Sequence, residues 1–130
     1  MLILTLRTDK PEAEVGLYDG ENQLAYEAWQ AHRALAETLL VKIEELLKSQ
    51  QKSWEDLEGI VAYQGPGSFT GLRIGLTVAN TIVQAQGVPI VAGKGESWIA
   101  NGIKSLIDGQ DDNLALPEYG ALPHITPQKK

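Results

Sequence analysis

Between an apolar run at Leu57–Tyr63 and a helix-like stretch that begins at Gly71 lies Gly65-Pro66-Gly67-Ser68-Phe69-Thr70-Gly71-Leu72-Arg73, with three glycines, a proline and two hydroxyls. Glycine tolerates positive φ and a close backbone neighbour, proline fixes its own φ, and Ser or Thr can cap a helix whose first amides lack partners. The stretch therefore reads as a tight strand-to-helix turn. The first amides of such a helix form a positive dipole end that suits an anion or phosphate. A P-loop would require Lys and then Ser or Thr after its last glycine, and here Leu72 and Arg73 follow Gly71. A dinucleotide fingerprint places Thr70 where its third glycine belongs and has no Asp or Glu between Glu58 and Glu96 to hold a ribose.

A chain of 130 residues with 43% hydrophobic content holds one domain with a real core, and a second full domain does not fit. With no cysteine, disulfides, thiolate catalysis and cysteine-based zinc sites are excluded. The apolar run from Met1 to Leu6 is ended by Arg7, Asp9 and Lys10, too soon for a signal peptide or a membrane span, so a cytoplasmic protein with no membrane contact is expected. A formal net charge of -6 argues against unaided binding to nucleic acid, and any link to RNA is expected to be indirect. Lys129-Lys130 reads as a solvated terminus.

Short apolar or alternating runs predict strands at Leu2–Leu6, Ala13–Tyr18 and Leu24–Trp29, separated by Lys10-Pro11 and Asp19-Gly20, as an antiparallel meander. A helix follows over Ala34–Ser49, with Leu35, Leu39, Leu40, Ile43, Leu46 and Leu47 on one stripe. Leu57–Tyr63 supplies a fourth strand and Gly71–Gln86 a second helix, stopped by Gly87. Val88–Ala92 is a short fifth strand with its proline at the entry, and the strand, helix, strand order implies a parallel crossover. Glu96–Ile107 predicts a third helix. The result is an α/β domain over 1–108 with a five-stranded mixed sheet, followed by an irregular, proline-containing tail over 109–130. Leu114, Leu116, Tyr119, Leu122 and Ile125 in that tail either dock on a surface or stay solvated.

From Ile74 through Gly93 there is no charged residue, unlike an ordinary surface helix. Gly71, Gly75 and Ala79 recur at every fourth position and suit close helix approach, while Leu72, Leu76 and Val83 form a second apolar row. Two rows require two neighbours: the sheet, and either the first helix or a second chain. His32 and His124 are not spaced as a helical ligand pair, and His32 reads as a cap or packing residue. Ser68 and Thr70 read as helix caps rather than nucleophiles, so no catalytic, metal or cofactor residue is assigned.

The segment GPGSFTGLRIG, Gly65 to Gly75, resembles the signature of the TsaB (YeaZ) family, as do the opening LILTLRTD and the later GVPIVAG. The resemblance covers about Leu2 to Ser97 and implies a ribonuclease-H-like fold of the actin, Hsp70 and sugar-kinase type. It also implies a non-catalytic subunit that binds and stabilises TsaD in tRNA threonylcarbamoyladenosine synthesis, with the ATPase TsaE in the assembled complex; a homodimer of the isolated chain through the same face is a separate expectation. By that resemblance the TsaD-binding residues are Gly65, Pro66, Gly67, Ser68, Phe69, Thr70, Gly71, Leu72, Arg73, Gly75, Leu76 and Ala79. A nucleotide-binding or enzymatic module of the same fold is the alternative. Three departures stand out: Arg7-Thr8 occupies the place of the family's usual Asp-Thr, one subdomain is present where relatives of the fold enclose a cleft between two, and Gly93–Ser97 has no histidine.

Overall fold

The computed structural model describes residues 1–31, 34–113 and 115–116. His32, Leu114, Tyr119, Leu122, His124, Ile125 and the terminal lysines, all considered above, lie outside the described residues.

Strands β1 (Leu2–Arg7), β2 (Glu12–Asp19) and β3 (Asn22–Gln30) form the antiparallel meander. Helix α1 (Leu35–Ser49) leads through a single 3-10 turn at Trp54–Asp56 into β4 (Gly59–Tyr63). Helix α2 (Phe69–Gln86), strand β5 (Ile90–Gly93) and helix α3 (Trp98–Ile107) complete the order. The sheet runs β3-β2-β1-β4-β5, with β4 parallel to both β1 and β5, so α2 is the crossover the spacing implied.

Both faces of the sheet are covered at β1 and β4, which explains why β1 is an almost unbroken apolar run. Leu4, Leu6, Val15, Leu17, Ile60 and Ile90 point toward α1 and α2 in one cluster. Ile3, Tyr18, Val61 and Val91 point the other way and meet Trp98, Ile103 and Leu106 of α3. The strand β3 lies at the sheet edge and alternates between half-buried and exposed positions, as a strand with one open face should.

Gly87 ends α2 in the left-handed conformation (φ 67°), its N–H donating to the Val83 carbonyl at 2.7 Å. On α1 the burial differs from the expected stripe: Leu35, Leu39, Ile43, Leu46 and Leu47 are buried, while Leu40 is 47% exposed. One residue past Leu39 is a rotation of about 100°, which carries Leu40 off the core-facing side. Helix α3 begins at Trp98 rather than Glu96, and β4 at Gly59 rather than Leu57.

The first residues of the expected tail are docked on the domain. Ala92 N–H donates to Asp112 Oδ2 (2.9 Å), Ile90 N–H to Asp111 Oδ1 (3.2 Å), and Asp112 N–H to the Ile90 carbonyl (2.8 Å), so this segment covers the outer edge of β5. Further on, Asn80 Nδ2 donates to the Ala115 carbonyl and Ala115 N–H donates to Asn80 Oδ1, each at 2.9 Å.

Candidate functional site

The turn between β4 and α2 is built against the end of β1. Its Gly65–Pro66 bond is cis, and Gly65 has φ 125°, a value that favours glycine. The Tyr63 hydroxyl donates to the Pro66 carbonyl at 3.1 Å, and Ser68 N–H donates to the Asp9 carbonyl at 3.3 Å. A Cβ on Gly67 would collide with Cβ of Asp9. The turn thus lies directly on the residues that follow β1.

The glycines of α2 serve the same packing. A Cβ on Gly71 would strike the Thr8 carbonyl oxygen, and one on Gly75 would strike Thr8 Oγ1. The Thr8 hydroxyl donates to the Gly71 carbonyl at 2.7 Å. The expected use of these glycines in helix-to-helix approach is therefore corrected: the close neighbour is the chain leaving β1. Ser68 occupies the N-cap position of α2 but makes no side-chain capping bond, so the capping role expected of its hydroxyl is also corrected.

Arg7 stands where the resemblance expected an aspartate. Its Nε donates to Asp9 Oδ1 at 2.7 Å and its Nη2 to Oδ2 at 3.2 Å, and its guanidinium carbon lies 3.9 Å from the Tyr63 ring centroid. The Arg7 side chain is 20% exposed and that of Asp9 only 6%. The hydrogen bond to Asp9 raises the Arg7 pKa above its ordinary value, against an opposing effect of burial. Bidentate pairing and stacking on a ring are the arrangements that suit a guanidinium better than an ammonium.

Of the residues the resemblance assigned to partner binding, Pro66, Ser68, Thr70 and Arg73 are exposed, and Gly67 and Gly71 are half-buried. Phe69 contributes the first backbone residue of α2. Gly65 and Gly75 are buried, and Leu72, Leu76 and Ala79 lie in this chain's own core with at most 2% exposure. Those three side chains are closed off within the domain, Leu76 and Ala79 in the cluster with α1 and Leu72 in the cluster with α3. The second neighbour of α2 is α1: between the two helices runs a groove of about 330 Å3 lined by Ala36, Thr70, Arg73, Ile74, Thr77 and Val78. Leu40 and the 51% exposed Val41 add apolar surface on α1. Ile74, Val78 and Val41 were missed by sequence reasoning, although Ile74 and Val78 sit inside the charge-free span that pointed to this helix. A smaller recess of about 210 Å3 beside the start of α2 is lined in part by Thr8, Lys10, Ser68, Thr70 and Gly71. Among the described residues no group of three or more His, Asp or Glu side chains could hold a metal, and no helix is long and apolar enough to cross a membrane.

A family profile described as "TsaD: tRNA N6-adenosine threonylcarbamoyltransferase" matches residues 29–97, more than half of the 130. The tRNA threonylcarbamoyladenosine biosynthesis protein TsaB of Bacillus subtilis (strain 168) is 41% identical over 61 residues, which cover 46% of this chain and 27% of the relative. The solved structure of YeaZ from Pseudomonas aeruginosa is 28% identical with a TM-score of 0.63, covering 72% of this chain and 45% of that one. The Thermus thermophilus RuvC structure, 12% identical with a TM-score of 0.52 over 79% of this chain and 71% of that one, shares the fold alone. The match thus spans less than half the length of the TsaB and YeaZ relatives. The glycine turn, the sheet order and the ribonuclease-H-like fold converge with these matches: the chain belongs to the TsaD family of tRNA N6-adenosine threonylcarbamoyltransferases, in its TsaB (YeaZ) branch.

Proposed function

We propose that the chain is a non-catalytic subunit that binds and stabilises TsaD during formation of threonylcarbamoyladenosine in tRNA, acting in the cytoplasm. The surface it uses is the outward side of α2 with the adjoining side of α1, reached from the glycine turn by Pro66, Ser68, Thr70 and Arg73. TsaE joins the assembled complex, tRNA is met only through the partners, and the isolated chain pairs with itself through the same face. The observation that carries this reading is the apolar groove of Ala36, Ile74 and Val78, with Leu40 and Val41 also exposed on α1. An apolar strip on a small domain whose core is otherwise closed is the usual mark of a contact surface.

The test is complex formation between the purified chain and TsaD, followed by size exclusion. The wild-type chain should elute with TsaD, and Ile74→Asp with Val78→Asp should not, because an unpaired carboxylate in a closed apolar contact is strongly unfavourable. Substitutions at Gly75 or Leu76 are unsuitable probes, since both residues are buried inside this chain. A variant that folds and still binds TsaD as tightly as wild type places the contact elsewhere.

A nucleotide-binding module is the second reading, favoured by the recess at the start of α2, where Lys10, Ser68 and Thr70 converge on the positive end of the helix. Against it, the neighbouring acid Asp9 already holds the Arg7 guanidinium. Calorimetry with ATP and ADP decides between them: heat of binding at millimolar ligand supports the module, and none removes it.

A further inference from the structure

We infer that Arg7 and Asp9 form a latch that fixes the glycine turn and the first turn of α2, so that the face carrying Thr70, Arg73 and Ile74 is held in one shape. Its bearing on TsaD rests on the function proposed above; the latch itself rests on geometry alone.

Among the described residues, hydrogen bonds from Tyr63 and to Asp9 tie residues 65–68 to the domain, and Arg7 touches both of those residues; a further bond, from the Thr8 hydroxyl to the Gly71 carbonyl, holds the first turn of α2. At the entry, the Tyr63 hydroxyl donates to the Pro66 carbonyl, and the Arg7 guanidinium covers the Tyr63 ring. At the exit, Ser68 N–H donates to the Asp9 carbonyl, and Arg7 grips the Asp9 carboxylate with two donors. Asp9 also fills the space that a side chain at residue 67 would need, so movement of Asp9 and movement of Gly67 are coupled. The latch therefore closes a ring that runs from Tyr63 through Arg7 and Asp9 to Ser68 and back along the turn.

The charges matter because the Asp9 side chain is almost wholly buried. Removing either partner leaves an uncompensated ion that must recruit water. Strands β1 and β4 lie inside the sheet, paired on both sides, and cannot open to admit it. The turn over residues 65–68 is the element free to move away, and its movement loosens the start of α2 as far as the Thr8–Gly71 hydrogen bond. A surface fixed before binding loses less entropy when a partner docks, so the latch raises affinity without touching the partner.

Amide hydrogen exchange on the whole chain tests the latch, using Arg7→Ala, Arg7→Lys and Asp9→Asn. Exchange at Ser68 and Leu72, whose amides donate to the Asp9 and Ser68 carbonyls, should quicken on the order of tenfold in Arg7→Ala and Asp9→Asn, while Ile43 in α1 and Val61 in β4 keep their rates. Arg7→Lys, which keeps the charge but loses the bidentate grip, should give an intermediate rate at the same amides. Faster exchange throughout the core would reduce Arg7 to a general stabilising role, and unchanged exchange at Ser68 and Leu72 would equally overturn the latch. If Arg7→Ala fails to fold, Arg7→Lys decides alone: quickened exchange at Ser68 and Leu72 supports the latch and wild-type rates there overturn it. A parallel binding assay separates the two claims. Should the wild-type chain not bind TsaD, the proposed function fails while the exchange result stands; should wild type bind and a folded Arg7→Ala bind equally well, the latch has no role in presenting the face.

Discussion

The Thr8 hydroxyl donates to the Gly71 carbonyl at 2.7 Å, and the carbonyl of the same threonine fills the place where a Gly71 side chain would stand. A single residue after β1 thus sets how closely α2 approaches the sheet. Because α2 runs on from the glycine turn, the same contact fixes where Thr70 and Ile74 reach the surface. The signature glycines are a packing requirement of this domain, and the surface beside them is made by their neighbours.

Replacement of those glycines should separate two kinds of obstacle. At Gly71 the obstacle is backbone, which no rotamer change relieves, so Gly71→Ala should cost at least the ~1–3 kcal/mol typical of overpacking, less a gain in helix propensity of up to ~1 kcal/mol. At Gly75 the nearest obstacle is the Thr8 side chain. Thr8→Ala should therefore recover part of the loss in Gly75→Ala and little of that in Gly71→Ala. Urea unfolding of the singles and doubles gives the coupling energies, and simple additivity for the Gly75 pair would contradict the contact.

Leu39 and Leu40 are adjacent in sequence and opposite in environment, at 0% and 47% exposure. Leu39→Ala should lower stability by ~2–5 kcal/mol through lost burial and a cavity, and Leu40→Ala should stay within ~0.5 kcal/mol. Denaturation midpoints check this. If the Leu40 surface belongs to the TsaD contact, Leu40→Asp should weaken complex formation while leaving the midpoint of the isolated chain near wild type.

What could be read in advance followed local periodicity. The unbroken apolar run of β1, the turn residues of the meander, the leucine spacing of α1 and Gly87 each carry a signal within a few residues, and the strand, helix, strand order carries the parallel crossover. Leu40 was misplaced because a hydrophobic residue next to a stripe looks like part of it until the helix is docked. Leu72, Leu76 and Ala79 are given to a partner by the family resemblance, and their apolarity is no check on that, because it cannot distinguish a chain's own sheet from another molecule. The grip of Arg7 on Asp9 involves near neighbours, yet its meaning depends on Tyr63 and Ser68, far along the chain. Sequence left open whether the region after Gly109 docks, since Asp111 and Asp112 read as loop residues and their carboxylates find the β5 amides only in three dimensions.

The bracket between Asn80 and Ala115 gives that docking a measurable strength. Asn80 supplies one donor and one acceptor to a residue that is 1% exposed. In Asn80→Ala both Ala115 backbone groups lose their partner, an expected cost of ~1–3 kcal/mol if they stay buried. The alternative for the chain is to release the segment into water, and in that case the loss appears as faster exchange at Ala115 and Asp112 with little change in global unfolding. Protected Ala115 together with wild-type stability would show that the bracket contributes nothing.

High pH should destabilise the fold through Tyr26. Burial, followed by its hydrogen bond with Glu14 and the repulsion of that carboxylate and of Glu12, pushes the Tyr26 hydroxyl up from 10.0 to about 12. The unfolded chain therefore releases this proton first, and between those two values the native state holds more protons than the unfolded one. Stability falls where the native state binds the excess, so the contribution is intact below pH of about 10, declines as pH rises toward 12, and is level beyond. Tyr18, raised mainly by burial and then by Glu14, acts in the same direction. Tyr26 is 45% exposed, and water screens the effect, so the decline should be modest. Urea unfolding across this range should show a shallower alkaline decline in Tyr26→Phe than in wild type. Glu14→Gln should fall between them, because it removes the carboxylate and leaves the burial. Equal slopes in wild type and Tyr26→Phe would place the alkaline sensitivity, if any, on other groups.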